Sequence, residues 1–171
     1  MIVRDATASD LPAIRGLYNA LIPTTTIGWT ETEQSAKDRE TWFARQNQQG
    51  YPVLVADDAG AVVGYAAYGD FRGAGKWPGY RYTVEHTIHV REDRWGAGVG
   101  RTLLTELVER ALDQGMHVMV AAIDGDNGAS IDFHRRLGFV EVARMPEVGH
   151  KFGRWLDLVL MQRVLDPGGH R

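Results

Sequence analysis

Apolar residues at Leu11, Ile14, Leu17, Tyr18 and Leu21 recur at the spacing of one helix face. A short β-like run, Ile2–Asp5, precedes them, and Ser9-Asp10 offers a side-chain cap, so the chain is expected to open with a strand and a helix. From about Glu33 to Gln49, Trp42 and Phe43 stand among charged residues and Gly50 follows, which predicts a second helix with a glycine stop. Pro52 to Ala56 and Ala61 to Tyr68 are β-rich runs flanking Asp57-Asp58-Ala59-Gly60, a turn of the kind that needs positive φ. An antiparallel hairpin follows from that. The Gly- and Pro-rich stretch 72–79 leads into a strand from about Tyr80 to Val90. In it Val84, His86, Ile88 and Val90 face one way, and Thr83, Glu85, Thr87 and His89 the other.

After a second glycine-rich loop, Arg94-Trp95-Gly96-Ala97-Gly98-Val99-Gly100, the residues Leu103, Leu104, Leu107, Val108, Ala111 and Leu112 form the clearest apolar stripe, ended near Gly115. Val118 to Ile123 is continuously apolar, as expected of a strand buried on both faces. Asn127 to Leu137 predicts a helix stopped at Gly138, and Phe139 to Met145 with Leu156 to Val164 a strand pair. Residues 166–171, with Pro167-Gly168-Gly169, read as a frayed C-terminal tail. With no repeat or linker in between, residues 1–165 are expected to form a single domain.

Composition narrows the classes. At 171 residues, 44% hydrophobic and 24% charged, the chain matches a soluble globular protein with one core. No apolar run is long enough to span a bilayer, and the start lacks the pattern of a secretory leader. A cytoplasmic protein without a membrane partner is therefore the expectation. The absence of cysteine excludes disulfides, thiolate metal sites and cysteine nucleophiles. A formal net charge of -3 argues against a broad nucleic-acid-binding face, so basic residues are expected to act locally.

A strand that delivers a glycine-rich loop to a helix N-terminus makes an anion site: glycine lets backbone N–H groups approach and the helix dipole favours negative charge. Gly96, Gly98 and Gly100 meet that need, although such loops also occur as plain tight turns. A nucleoside triphosphatase would follow the glycines with Lys and Ser or Thr, whereas this loop ends Gly100-Arg101-Thr102. A dinucleotide-binding unit would begin with a parallel strand-helix-strand, but three antiparallel-looking strands come first.

The Arg-x-x-Gly-x-Gly loop, its Leu-rich helix and the later Asn127-Gly128-Ala129-Ser130-Ile131-Asp132-Phe133-His134-Arg135-Arg136-Leu137-Gly138-Phe139 resemble the GNAT superfamily of N-acetyltransferases. More narrowly, Thr83-Val84-Glu85-His86, His117-Val118-Met119-Val120-Ala121 and Lys151-Phe152-Gly153-Arg154-Trp155-Leu156-Asp157-Leu158 are similar to the phosphinothricin and methionine sulfoximine acetyltransferases. The resemblance implies an α/β (α+β) fold, a central mixed and largely antiparallel twisted sheet of about seven strands flanked by about four helices. It implies acetyl-CoA as co-substrate, no metal, a small amino-acid acceptor and a homodimer.

Residue by residue, the resemblance assigns acetyl-CoA to Ile88, His89, Val90, Arg94, Gly96, Ala97, Gly98, Val99, Gly100 and Arg101, with Asn127 and Ser130 as further contacts. Helical spacing places Asn127, Ser130 and His134 on one face, although Asn127 could serve simply as a cap and His134 as a surface residue. Acetyl transfer to an amine needs a neutral nitrogen, a polarised thioester carbonyl and a protonated leaving thiol. Glu85 resembles the family's base, His134 is the candidate for proton movement at the thiol or amine, and a backbone N–H near Val90 is the implied donor to the carbonyl. For the acceptor, Arg72 and Arg81 are the candidate cations for its carboxylate. Trp29 and Phe71 could supply an apolar wall, and at least one of His86 and Thr87 is expected to line the pocket. The stretch 73–79 looks longer than in close relatives, which leaves the acceptor open to a polyamine, an aminoglycoside or a protein N-terminus. From another class, a non-catalytic CoA-binding sensor also fits the loop.

Overall fold

The polar residues near the start cap a turn one step earlier than the spacing predicts. In the computed structural model, which describes residues 1–73 and 75–165, Thr7 and Asp10 close a short 3-10 turn, Ala8–Asp10, and α1 runs Leu11–Leu21. Asp10 is buried and accepts from both terminal nitrogens of Arg4, at 2.8 and 2.9 Å, while Arg4 also reaches Asp57 at 2.9 Å. The hydrogen-bonded guanidinium holds the Asp10 carboxyl down to about 2. One cation thus ties strand β1 (Ile2–Asp5) to that turn and to strand β2 (Val53–Asp58).

Ser35 caps α2, Ala36–Gln49, in a reciprocal box with Asp38, and Gly50 ends it in the left-handed region. Strand β3 is Ala61–Asp70, and the turn between β2 and β3 has Ala59 at φ 53 and Gly60 at φ 86, the positive values that the turn sequence requires. Strand β4 begins only at Thr83 and ends at Val90, because Pro78–Tyr80 forms a 3-10 turn. Then come α3 (Val99–Asp113), β5 (Val118–Asp124), α4 (Gly128–Arg136), β6 (Val140–Lys151) and β7 (Arg154–Val164). The seven strands form one mixed sheet in the order β1-β2-β3-β4-β5-β7-β6. β1, β2 and β3 are antiparallel, β4 and β5 parallel, and β5, β7 and β6 antiparallel. The tail expected at 166–171 lies outside the described residues.

The chain divides into two compact units, each made of separate stretches: Met1–Gly69 with Thr87–Leu107, and Asp70–His86 with the chain from Val108 onward. In the first, Val53 and Val55 of β2 and Tyr65 and Ala67 of β3 alternate onto one face and meet Leu11, Ile14 and Leu17 of α1, with Trp42 and Phe43 of α2 packed alongside. Burying each such aliphatic side chain is worth about 1.5–3 kcal/mol. The other face of β3 lies against α3: a Cβ at Gly64 would sit 3.0 Å from the His89 carbonyl oxygen, 3.1 Å from Leu103 and 3.3 Å from Val99.

In the second unit Val84, Met119, Ala121, Phe139, Leu156, Val159 and Met161 are fully buried. β6 continues well past the expected Met145, because register shifts at Glu141/Ala143 and Met145/Gly149 let an edge strand carry Pro146 and Gly149. The α3 stripe and the β5 run each turn one residue to solvent. Leu112 at the end of the α3 stripe is 39% exposed, and Ala122 of β5 is exposed.

Candidate active site

The glycine-rich loop and the end of β4 belong to the first unit. Trp95 fastens the loop to the strand by donating its indole N–H to the Val90 carbonyl at 2.8 Å. Arg94 is engaged with Asp58 at 2.8 Å, Arg91 with Asp93 at 2.6 Å, and the Arg91 amide donates to Val63 O at 2.9 Å. Gly96 and Gly98 adopt φ 77 and 85, the left-handed region that glycine enters without penalty, while Gly100 lies inside the first turn of α3. The first helical bond runs from Thr102 N to Gly98 O at 3.1 Å. The N–H groups of Val99, Gly100 and Arg101 are therefore among those that a helix start leaves without an internal acceptor. Three amides at the positive end of a 15-residue helix, behind two glycines whose Cβ positions are open, fit a phosphate-bearing ligand.

Glu85, His86, Asn127, Ser130 and His134 belong to the second unit. Glu85 stands on β4 opposite Val120 of β5. Its side chain meets solvent, yet the protein packed around it strips enough hydration to raise its carboxyl above the ordinary value. Asn127 does cap α4, its Oδ1 accepting from Ser130 N at 3.1 Å, a role that uses only the oxygen of the amide. His134 is buried rather than at the surface. Its Nδ1 lies 2.7 Å from the Ser130 carbonyl, which fixes the proton there, and its buried Nε2 has no hydrogen-bond partner. Desolvation lowers its pKa, so the ring is neutral near pH 7, with Nε2 as a bare acceptor. The ring packs on His86, Phe133 and Phe139, with centroids 5.1, 5.0 and 5.4 Å away. His86 is thus turned into this buried layer.

Arg72, Arg81 and Phe71 lie in the second unit, and Trp29, half-buried, in the first. Phe71 packs edge-on against Tyr80 at 5.6 Å, and its amide donates to Thr83 O at 3.4 Å, next to the start of β4. Arg72 holds φ 52 and stands 6.0 Å from the Tyr80 ring. Arg81 stacks 4.5 Å over Tyr82 and donates to Pro78 O at 3.1 Å. Both residues are exposed.

Three features escaped the sequence reading. Gly64 is required where β3 passes beneath α3, and a glycine inside a strand was the available signal. Gly125 is required too, since a Cβ there would lie 2.9 Å from both Arg144 and Asp157. The third is the buried Arg39, whose guanidinium stacks on Tyr18, Trp42 and Tyr65 at 5.3, 4.6 and 5.6 Å. Nothing in the local spacing distinguishes it from the other charged residues of α2.

Known proteins resemble this chain along nearly its whole length. The sequence profile of the Acetyltransferase (GNAT) family matches residues 14–139. An L-methionine sulfoximine/L-methionine sulfone acetyltransferase of Pseudomonas paraeruginosa is 54% identical over 166 residues, 96% of this chain and 95% of the relative. A GNAT superfamily phosphinothricin acetyltransferase from Sinorhizobium meliloti, solved in complex with acetyl-CoA, superposes with a TM-score of 0.93 at 37% identity, over 99% of this chain and 91% of that one. A ribosomal-protein-alanine N-acetyltransferase from Brucella melitensis superposes with a TM-score of 0.92 at 44% identity, over 96% and 99%. With the sheet order, the glycine loop at the head of α3 and the Asn127-capped α4 in place, the chain belongs to the GNAT family of acetyltransferases.

Proposed function

We propose that the chain transfers acetyl from acetyl-CoA to the α-amine of a small amino-acid analogue: methionine sulfoximine, methionine sulfone or phosphinothricin. The observation that carries this reading is Glu85, a carboxylate with a raised pKa in the segment that resembles the acetyltransferases named for those acceptors. Acetyl-CoA supplies an activated thioester. The amides at the head of α3 and the loop from Arg94 to Arg101 hold its pyrophosphate, the backbone of Ile88, His89 and Val90 runs alongside, and Asn127 and Ser130 give further contacts. A backbone N–H near Val90 donates to the thioester carbonyl as negative charge grows there. Glu85 takes the ammonium proton directly or through water, and His134 relays a proton towards the thiol. Arg72 and Arg81 are the cations for the acceptor carboxylate in this reading, and Phe71, Trp29 and Thr87 are its further candidate contacts.

Residues 1–165 act as a single domain in the cytoplasm in this reading, and two chains pair. Support for pairing comes from the edge strand β6, the turn after it and the start of β7, where Val142, Met145, Val148, Phe152 and Trp155 are 44–64% exposed. Sedimentation velocity is expected to return a dimer at micromolar concentration, and a Trp155→Glu chain that sediments like the wild type would remove this face from the interface. The Brucella relative's name favours one second reading, acetylation of a protein N-terminal amine. A purified-enzyme screen of the three analogues, spermidine and an alanine-initiated peptide separates them. Turnover is expected with the analogues, and turnover of the peptide or spermidine alone would overturn the assignment.

A further inference from the structure

On the face of β4 that carries Thr87, the next side chain is His89, sunk into a wall of aromatic rings. It is 6% exposed, edge-on to Tyr18 at 5.4 Å and tilted on Tyr65 at 5.1 Å, the same two rings that Arg39 touches. Burial, assisted by the Arg39 charge, pushes its pKa down to about 4, so the imidazole is neutral at physiological pH and carries one N–H. Its Nε2 lies 3.0 Å from Thr87 Oγ1, while its buried Nδ1 has no hydrogen-bond partner.

These distances decide the tautomer. With the proton on Nδ1, a buried N–H donor would be stranded, which folded proteins rarely tolerate. With the proton on Nε2, the donor is satisfied by Thr87 Oγ1 and only a lone pair is left bare. A threonine hydroxyl that accepts from the imidazole keeps its own hydrogen to donate elsewhere. Thr87 is half-buried and lies two residues from Glu85 on the same side of the strand.

We propose that His89 is a positioning residue: held in its aromatic cage, it donates from Nε2 to Thr87 Oγ1 and so fixes the Thr87 hydroxyl as a hydrogen-bond donor to an oxygen of the acceptor. The device rests on the acetyltransferase reading above, and it selects acceptors that present a hydrogen-bond-accepting oxygen, a carboxylate or a sulfone, sulfoximine or phosphinate oxygen. Amines without such a group leave the donor unmatched.

The test has two arms. Long-range 1H–15N correlation spectra of protein labelled at histidine nitrogen, with His89→Gln assigning the resonances, are expected to show His89 protonated at Nε2. Kinetics then use whichever acceptor the wild type turns over best, so that a wrong acceptor assignment leaves this arm intact. His89→Phe keeps the ring and loses the donor, and is expected to raise the acceptor KM about tenfold with the acetyl-CoA KM within twofold. His89→Gln, whose amide N–H can reach the hydroxyl, is expected to recover most of that loss. Thr87→Val should match His89→Phe, and the double variant should be no worse than either single one. An Nδ1-protonated ring overturns the proposal, as do additive losses in the double variant or equal rises in both KM values. If His89→Phe does not fold, the spectrum with Thr87→Val and Thr87→Ser decides, Ser being expected to retain the acceptor KM that Val loses.

Discussion

Glu85→Gln is expected to lower kcat by about 10²- to 10⁴-fold, the contribution typical of a positioned general base, while leaving the acetyl-CoA KM within a factor of a few. The substitution keeps the shape of the side chain and removes only the group that can accept the proton. Because the protein around Glu85 raises its carboxyl pKa, the wild-type rate at subsaturating acceptor should climb with pH through a value above the ordinary carboxylate range. The variant should lose that limb. The same shift has a consequence for stability. A carboxyl whose pKa is higher folded than unfolded binds its proton more tightly in the native state, so its contribution is present at low pH and lost as pH rises through the folded value. Near neutral pH the wild type therefore carries a carboxylate that folding disfavours, and Glu85→Gln should melt no lower than the wild type. A fall in Tm alongside the fall in kcat would mean that Glu85 serves the fold, and unchanged turnover across the pH range would mean that it is not the base.

Gly98→Ala and Gly60→Ala form a matched pair for the loop. The two glycines share nearly the same φ, 85 and 86, and neither would bring a Cβ within 4 Å of another atom. Forcing alanine into that conformation costs about 1–2 kcal/mol at either site. Each variant therefore carries the strain of a positive φ, and each should lose a few degrees in Tm. Only position 98 adjoins the amides at the head of α3. Gly98→Ala is expected to raise the acetyl-CoA KM at least about tenfold, the size of one or two lost amide contacts to phosphate, with Gly60→Ala unchanged. Equal KM values in the two variants would reduce the glycines to turn formers.

The periodic stripes of α1 and α3, the hairpin at Ala59-Gly60 and the glycine stop at Gly50 were all legible because each is specified within a few residues. Spacing fixes a helix face, and a turn that needs positive φ asks for glycine or a small polar residue. Glu85, the glycine loop and the Asn127 helix stood out as candidates for a different reason: they recur together as blocks of a known family. Boundaries were less so. β6 extends past Pro146 because β7 supplies its hydrogen bonds and bulges absorb the proline, and neither is visible in the strand's own residues.

The sequence by itself determined the order of strands and helices, the glycines that give the loop before α3 its backbone freedom, and the residue types available for acetyl transfer. Tertiary structure alone decided their surroundings. It sank His134 into a layer with His86 and Phe139, left Glu85 reachable but short of hydration, bound Arg94 to Asp58, and closed Arg39 and His89 into one aromatic cage. Desolvation and charge pairing depend on what comes near in space, and most of those neighbours are tens of residues away along the chain.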